Sequence, residues 1–257
     1  DFIFITQASG TADVRRVSLD GLVTTVLASV AGTAVNSPSS IAISADFVFI
    51  ASKSDACVSI FDATAAPTEA PTDAPTAVPT APVPGYTLWS LGGATNGEAG
   101  NVQGVRSVAK VKYPQKVVAD PLDSNNLYVF ERNAHKVLKM TPDGTTSAFI
   151  AQDTSGYADG LGTAARMYLP HFGATAPDGA LYFGDGNRAV RKVDPAGNVA
   201  TIGGSAPPTA VSGWVDDAAG LSARFNWPVY VTIHKGSTDA DHQLYVSDIN
   251  NHAIRKL

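Results

Sequence analysis

Short apolar runs recur along the chain in a form that suits strands. Asn126-Leu127-Tyr128-Val129, Ala180-Leu181-Tyr182-Phe183 and Gln243-Leu244-Tyr245-Val246 share one pattern, and Asp46-Phe47-Val48-Phe49-Ile50 and Phe2-Ile3-Phe4-Ile5 are looser copies. About ten residues after each comes a second run: Val14 to Val17, Val58 to Phe61, Val137 to Met140, Val190 to Val193 and Ile254 to Leu257. Apolar and polar positions partly alternate there, as on a half-buried strand. A turn ending in glycine follows, at Gly21, Gly144 and Gly197, where positive φ costs glycine little. Third runs rich in β-branched and aromatic residues read Val23 to Leu27, Tyr86 to Leu91, Thr146 to Ile150 and Val199 to Ile202. A fourth begins at a proline, Pro38, Pro114, Pro170 or Pro228, and proline is tolerated as the first residue of a strand.

The unit repeats at about 54 residues from Asn126 to Ala180 and about 63 from Ala180 to Gln243. Four short strands per unit, joined by tight turns and without helical periodicity, make a meander. Meanders repeated in this way build the radial architecture of a β-propeller, where neighbouring blades bury each other's faces. The expected fold is therefore all-β: a propeller of about five four-stranded blades over residues 1–257, or a six-bladed ring incomplete in this segment. A β-sandwich accounts for alternation but not for the repeat. The first unit starts at its second strand and the last stops at its third, so eighteen strands are expected. Two open edges would result, and an open edge strand invites pairing with a neighbour.

Several steps in the repeat resemble the NHL-repeat propellers. Gly156-Tyr157-Ala158-Asp159-Gly160 leads to Ala165-Arg166-Met167-Tyr168-Leu169-Pro170, and Gly213-Trp214-Val215-Asp216-Asp217 leads to Ala223-Arg224-Phe225-Asn226-Trp227-Pro228. Ala109-Lys110-Val111-Lys112-Tyr113-Pro114 keeps the same step from Ala to Pro. Leu244-Tyr245-Val246-Ser247-Asp248-Ile249-Asn250-Asn251-His252-Ala253-Ile254-Arg255-Lys256 carries nearly the whole NHL pattern. The resemblance is strong over 97–257 and is only strand-level over 1–63. It implies a propeller that acts through protein interactions, or a lyase or hydrolase of related folds with ligands gathered round the axis.

Composition narrows the functional classes. The 257 residues are 44% hydrophobic and 16% charged, enough apolar material for a core. A net charge of −5 without a basic patch argues against a nucleic-acid partner held through phosphates. No apolar run of about 18 residues is present to span a bilayer, so no transmembrane segment is expected. The chain opens Asp1-Phe2-Ile3 without an initiator Met or a signal-peptide core, which suggests processing or fragmentation. Cys57, the single cysteine, has no internal disulfide partner and sits in a strand pattern, where core packing is expected.

Residues 64–84 differ from everything around them. Pro67, Pro71, Pro75 and Pro79 recur every fourth residue, and each is followed by a threonine, Thr68, Thr72, Thr76 and Thr80. Such a stretch buries no core and favours extended polyproline II, reaching roughly 60 Å at about 3.1 Å per residue. Pro-Thr tracts are also the composition of O-glycosylated stalks. The four threonines are the expected glycan acceptors, and the four prolines the expected hydroxylation sites. No Asn-x-Ser/Thr sequon occurs, so any glycan is O-linked.

Catalytic signals are sparse. The five histidines, 135, 171, 234, 242 and 252, show no zinc spacing. His171 is a weak metal candidate because it follows Pro170 on an inner strand, where Ser39, Gln115 and Val229 are its equivalents. His135 and His252 fall in the loop before the third strand, with a turn-stabilising role expected. Asp185 and Asp248 are expected to accept hydrogen bonds in their turns, from Asn187 and Asn250. Asp159, Asp216 and Asp217 offer clustered oxygens but no calcium-loop motif. No nucleophile elbow or phosphate-binding glycine loop is found, and no cofactor is expected.

The leading expectation is a non-enzymatic extracellular or cell-surface glycoprotein: a structural or interaction scaffold for proteins or glycans, and a subunit of a larger, filamentous assembly. Its partners would be other protein subunits, including copies of itself, with covalent O-glycans on the Pro-Thr spacer. The alternatives are a propeller lyase or hydrolase with an axial metal at His171, and an intracellular NHL interaction module.

Overall fold

A computed structural model describes residues 2–7, 13–18, 23–27, 38–43, 47–52, 57–62, 89–93, 99–123, 126–204, 211–218, 220–234 and 243–257. The Pro-Thr segment 64–84, with Thr68, Thr72, Thr76, Thr80 and their prolines, lies outside the described residues, as does His242, and the side chain of Cys57 is likewise outside them.

Five antiparallel sheets follow one another along the chain. The first holds β1 (Phe2–Gln7), β2 (Asp13–Ser18) and β3 (Val23–Leu27). The second holds β4 (Pro38–Ile43), β5 (Phe47–Ser52), β6 (Cys57–Asp62) and β7 (Trp89–Gly93). The third holds β8 (Pro114–Ala119), β9 (Leu127–Glu131), β10 (Lys136–Met140) and β11 (Thr146–Ile150). The fourth holds β13 (Gly173–Thr175), β14 (Leu181–Asp185), β15 (Ala189–Val193) and β16 (Asn198–Gly203), with the two-residue β12 (Gly160–Leu161) added beside β16. The fifth holds β17 (Pro228–His234), β18 (Gln243–Asp248) and β19 (Ala253–Lys256). The eighteen expected strands are found, but β13 begins at Gly173 rather than at Pro170, so His171 lies ahead of the inner strand rather than on it, and β12 is an addition.

Each sheet is a blade whose strands run in order from the axis outwards. The innermost strands β4, β8, β13 and β17 lie side by side. Between β13 and β17 this approach becomes a parallel bridge, Phe172 to Tyr230, with Val231 N–H donating to the Phe172 carbonyl at 3.2 Å. Ser39 Oγ donates to the Pro114 carbonyl at 3.1 Å, and Thr175 Oγ1 to the Ala119 carbonyl at 3.2 Å. These bonds tie adjacent blades at their inner edges.

The Leu-Tyr-Val strands of the third and fourth blades are buried on both faces, whereas β18 of the fifth buries only alternate residues. Leu127 and Val129 pack with Phe49, Val58 and Leu91 of the second blade. Tyr128 and Phe130, one residue on in each case, pack with Leu181 and Phe183 of the fourth. The side-chain period of two thus feeds alternate residues into two different blade interfaces. Phe130 and Phe183 meet edge-to-face at 5.5 Å across one of them.

Backbone irregularities repeat as faithfully as the strands. The inner pair of strands carries a bulge just after the leading proline, between Pro38 and Ser40, Pro114 and Lys116, and Pro228 and Tyr230. A second shift recurs at Val14/Arg15, Val58/Ser59, Val137/Leu138 and Val190/Arg191. Bulges strengthen the local twist, which a blade needs, and they re-aim side chains. The turn glycines Gly144 and Gly197 take φ of 83° and 90°, as their sequence context requires.

Candidate functional site

Two regions gather polar side chains in one place: the outer corner of each blade, and the inner rim where the leading prolines stand. The corner is built alike in the third, fourth and fifth blades. A loop strand pairs Val102 with Lys110, Ala158 with Arg166 and Val215 with Arg224, which puts Asn101, Tyr157 and Trp214 in register, and likewise Gln103, Asp159 and Asp216.

In the fourth blade Arg191 fills this corner with its side chain fully buried. Its Nη1 donates to Asp185 Oδ2 at 2.8 Å and to the Arg166 carbonyl at 3.3 Å. Its Nη2 donates to the Ala158 carbonyl and to Asp159 Oδ1, both at 2.9 Å. The Tyr157 ring covers the guanidinium at 4.9 Å. Asp185 also accepts from the Tyr168 and Asn187 backbone N–H groups and from Asn187 Nδ2. A planar guanidinium with five donors is suited to tie strand, hairpin and loop together in this way.

The fifth blade repeats the clamp. Arg255 donates to Asp248, to the Arg224 and Val215 carbonyls and to Asp216, under Trp214. The hairpin here is one residue longer, so Asn251 rather than Asn250 bonds Asp248, at 2.7 Å, while Asn250 turns to Asn226. The acidic residues of the glycine-rich loops are thereby engaged: Asp159 with Arg191 and Thr201, Asp216 with Arg255, and Asp217 with the Ser222 N–H.

The third blade departs from this plan. Leu138 stands at the bulge position of Arg191, Asn101 replaces the aromatic, and Gln103 replaces the acid. Lys136, two residues earlier, supplies the cation. Its Nζ lies 3.2 Å from Glu131, 3.0 Å from Asp153, and donates to Asn101. Burial pushes the Glu131 carboxyl up to about 7, against the pull of Lys136 and of the Lys112 N–H. Lysine with an amide fills less space than arginine with an aromatic ring, and an open cavity of about 290 Å³ results.

At the inner rim, Tyr113, Leu169 and Trp227 precede the leading prolines with φ of 53°, 47° and 76°. Bulky residues adopt that conformation at a cost, roughly 1–3 kcal/mol each, so the surrounding structure must hold them. His171 follows on, only 3% exposed, with its ring against Trp227 at 5.2 Å. Both of its ring nitrogens lack hydrogen-bond partners, and burial, with Arg132 adding to it, lowers its pKa to about 4. Gln115 Oε1 and Arg132 Nε are also buried without partners. Among the described residues no three His, Cys, Asp or Glu side chains are grouped to hold a metal ion. His135 and His252 close their 3₁₀ turns in the left-handed conformation, and His135 Nδ1 accepts the Leu169 N–H at 3.1 Å.

Sequence reasoning singled out the aspartates but not Arg191, Arg255 or Lys136. The available signal was the joint occurrence of Asp and Arg in the last two units and the loss of that arginine in the third.

No family model matches the chain, and no curated protein sequence matches it. Solved structures do. A structural-genomics protein of unknown function from Bacteroides thetaiotaomicron shares 20% identity, with a TM-score of 0.69, over 99% of this chain and 56% of its own. An auxiliary nutrient binding protein from Bacteroides ovatus shares 18%, with a TM-score of 0.66, over 98% of this chain and 54% of its own. Virginiamycin B lyase from Staphylococcus aureus shares 15%, with a TM-score of 0.52, over 99% of this chain and 68% of its own. The chain thus spans about half the length of the first two. The likeness is one of fold, and together with the five successive antiparallel sheets it makes this an all-β protein with the β-propeller fold.

Proposed function

We propose that the chain is a non-enzymatic propeller scaffold working outside the cell or at its surface. NHL-type repeats form a single domain over 1–257, blade surfaces bind protein or glycan partners, and residues 64–84 are an O-glycosylated spacer. Self-association into a larger, filamentous assembly through open sheet edges belongs to this reading. The observation that carries it is the use made of the buried charges. Asp185 and Asp248 have no side-chain exposure and are engaged by arginine and by N–H donors. A carboxylate so placed holds a blade together, whereas an acid or base must reach a substrate. The similarity to an auxiliary nutrient binding protein supports binding as the general activity.

A second reading is favoured by one detail. His171 is neutral with both ring nitrogens unpartnered, as a metal ligand would be before binding, and lyases are among the similar folds. It would place an axial metal at His171, with the completing carboxylates drawn from outside the described residues, since no three candidate ligands are grouped among those described.

The two are separated by mass spectrometry of the natively isolated protein across Ala63 to Gly85. Hexose or pentose increments on Thr68, Thr72, Thr76 or Thr80, or on hydroxylated Pro67, Pro71, Pro75 or Pro79, are expected. An unmodified segment, with a stoichiometric metal lost in His171→Ala, would overturn the scaffold reading in favour of the lyase-like one.

A further inference from the structure

The cavity at the corner of the third blade is where the repeat leaves hydrogen-bonding capacity unspent. In the fourth and fifth blades the same corner is filled by an arginine under an aromatic ring. Here the polar lining is the buried Lys136 with Asn101, Gln103, Gln152, Asp153, Thr154 and Thr163. Asn101 gives its carbonyl to Lys136 and Gln103 gives its carbonyl to the Ala148 N–H at 3.0 Å, so both amide NH₂ groups are left to donate. Asp153 binds Lys136 through Oδ1 and is half exposed, which leaves its second oxygen to accept.

The lining therefore mixes donors and acceptors without a dominant charge. Lys136 is already flanked by two carboxylates, so it offers no excess positive charge to an anion, and the half-exposed Asp153 repels one. A cation meets Lys136 itself. A neutral ligand whose groups each both donate and accept matches best, and hydroxyl groups do so. The volume, about 290 Å³, is at the small end of the roughly 300–1,000 Å³ range of ligand pockets, room for one sugar ring.

From this lining and volume we infer that the third-blade cavity binds one neutral pyranose ring of a glycan. The inference rests on the scaffold reading and gives that scaffold a ligand class. Asn101, Gln103 and Asp153 contact the hydroxyls, and Gln152 and Thr154 close over them.

Saturation-transfer NMR on the whole chain tests it, with D-galactose, D-mannose, D-glucose and L-arabinose as neutral probes and D-galacturonate as the charged one, each at roughly 10 mM. At least one neutral sugar is expected to receive transfer. Asn101→Tyr, which restores the aromatic of the other blades, is expected to cut that transfer at least threefold in protein whose NMR spectrum shows it still folded. Gln152→Ala, at an exposed rim position, is expected to weaken it as well. Transfer to no neutral sugar, a preference for galacturonate, or transfer unaltered in both variants would each overturn the proposal. Glycans found on residues 64–84 alongside any of those results would leave the scaffold reading standing.

Discussion

Arg191 Nη1 meets Asp185 Oδ2 at 2.8 Å with neither side chain exposed to solvent, and Asp159 and two carbonyls take further donors of the same guanidinium. Two strands of a hairpin and the loop before the inner strand are thereby tied at one point. A buried ion pair earns little over a well-packed apolar pair, but breaking one partner away is costly, because the other charge stays buried.

Arg191→Leu, which installs the residue found at the same bulge in the third blade, is expected to destabilise by about 3–5 kcal/mol. Arg191→Lys is expected to recover only part of this, since an ammonium cannot reproduce the planar fork. Urea unfolding of the three proteins measures it; a loss under about 1 kcal/mol in Arg191→Leu would mean the clamp is ornamental.

Glu131 makes stability depend on pH in an unusual direction. Its folded pKa of about 7 lies above the ordinary 4.5, so the folded state holds the proton more tightly. The associated stability is fully present below pH 4.5 and is lost as pH rises to about 7, on the order of 1–3 kcal/mol from the size of the shift. Glu131→Gln is expected to flatten that slope. The check is the difference between wild-type and variant unfolding free energies from pH 4.5 to 8, and parallel curves would refute it.

His171 behaves oppositely. Its folded pKa of about 4 lies below the ordinary 6.5, so its contribution is present above pH 6.5 and disappears as pH falls through 4. The ring is expected to remain neutral at pH 5.5. Following the imidazole C–H resonances against pH decides the matter; a His171 midpoint near 6.5 would show that the ring is not sequestered.

Gly184 lies where two blades touch. A Cβ there would run into the Pro228 carbonyl, in the leading proline of the next blade. Gly184→Ala is expected to cost roughly 1–3 kcal/mol as an overpacked contact. Ser247→Ala, the equivalent position in the fifth blade, serves as the control and is expected to stay within about 0.5 kcal/mol. Thermal or urea unfolding that ranks the two alike would remove the contact as a constraint.

Much of the fold was legible because strands carry local signatures. Leu127 to Phe130 and Leu181 to Phe183 read as strands from their apolar runs, and Pro114 and Pro228 marked where inner strands begin. The prolines are local constraints on φ, and the turn glycines local permissions, so both can be read residue by residue. The bulges at Gln115 and Val229 and the extra β12 were not legible. They arise from pairing between segments far apart in sequence, and no single run of residues carries them. The cavity was hidden for the same reason. Leu138 reads as one more apolar strand residue, and Lys136 as one more polar one, until the fold brings Asn101, Glu131 and Asp153 around the lysine.

By itself, then, the sequence determined the kind of element, the repeat and the order of the strands, because hydrophobic period, proline and glycine act within a few residues. The tertiary structure decided which polar groups meet. Asp185 meets Arg191 and Glu131 meets Lys136 across single hairpins, but whether Asp159 and Asn101 join them depends on those hairpins folding against loops more than thirty residues away. Burial then sets the consequence: the same carboxylate that would be an ordinary surface acid becomes a clamp in the fourth and fifth blades and, in the third, the buried partner of the lysine that lines an open polar cavity.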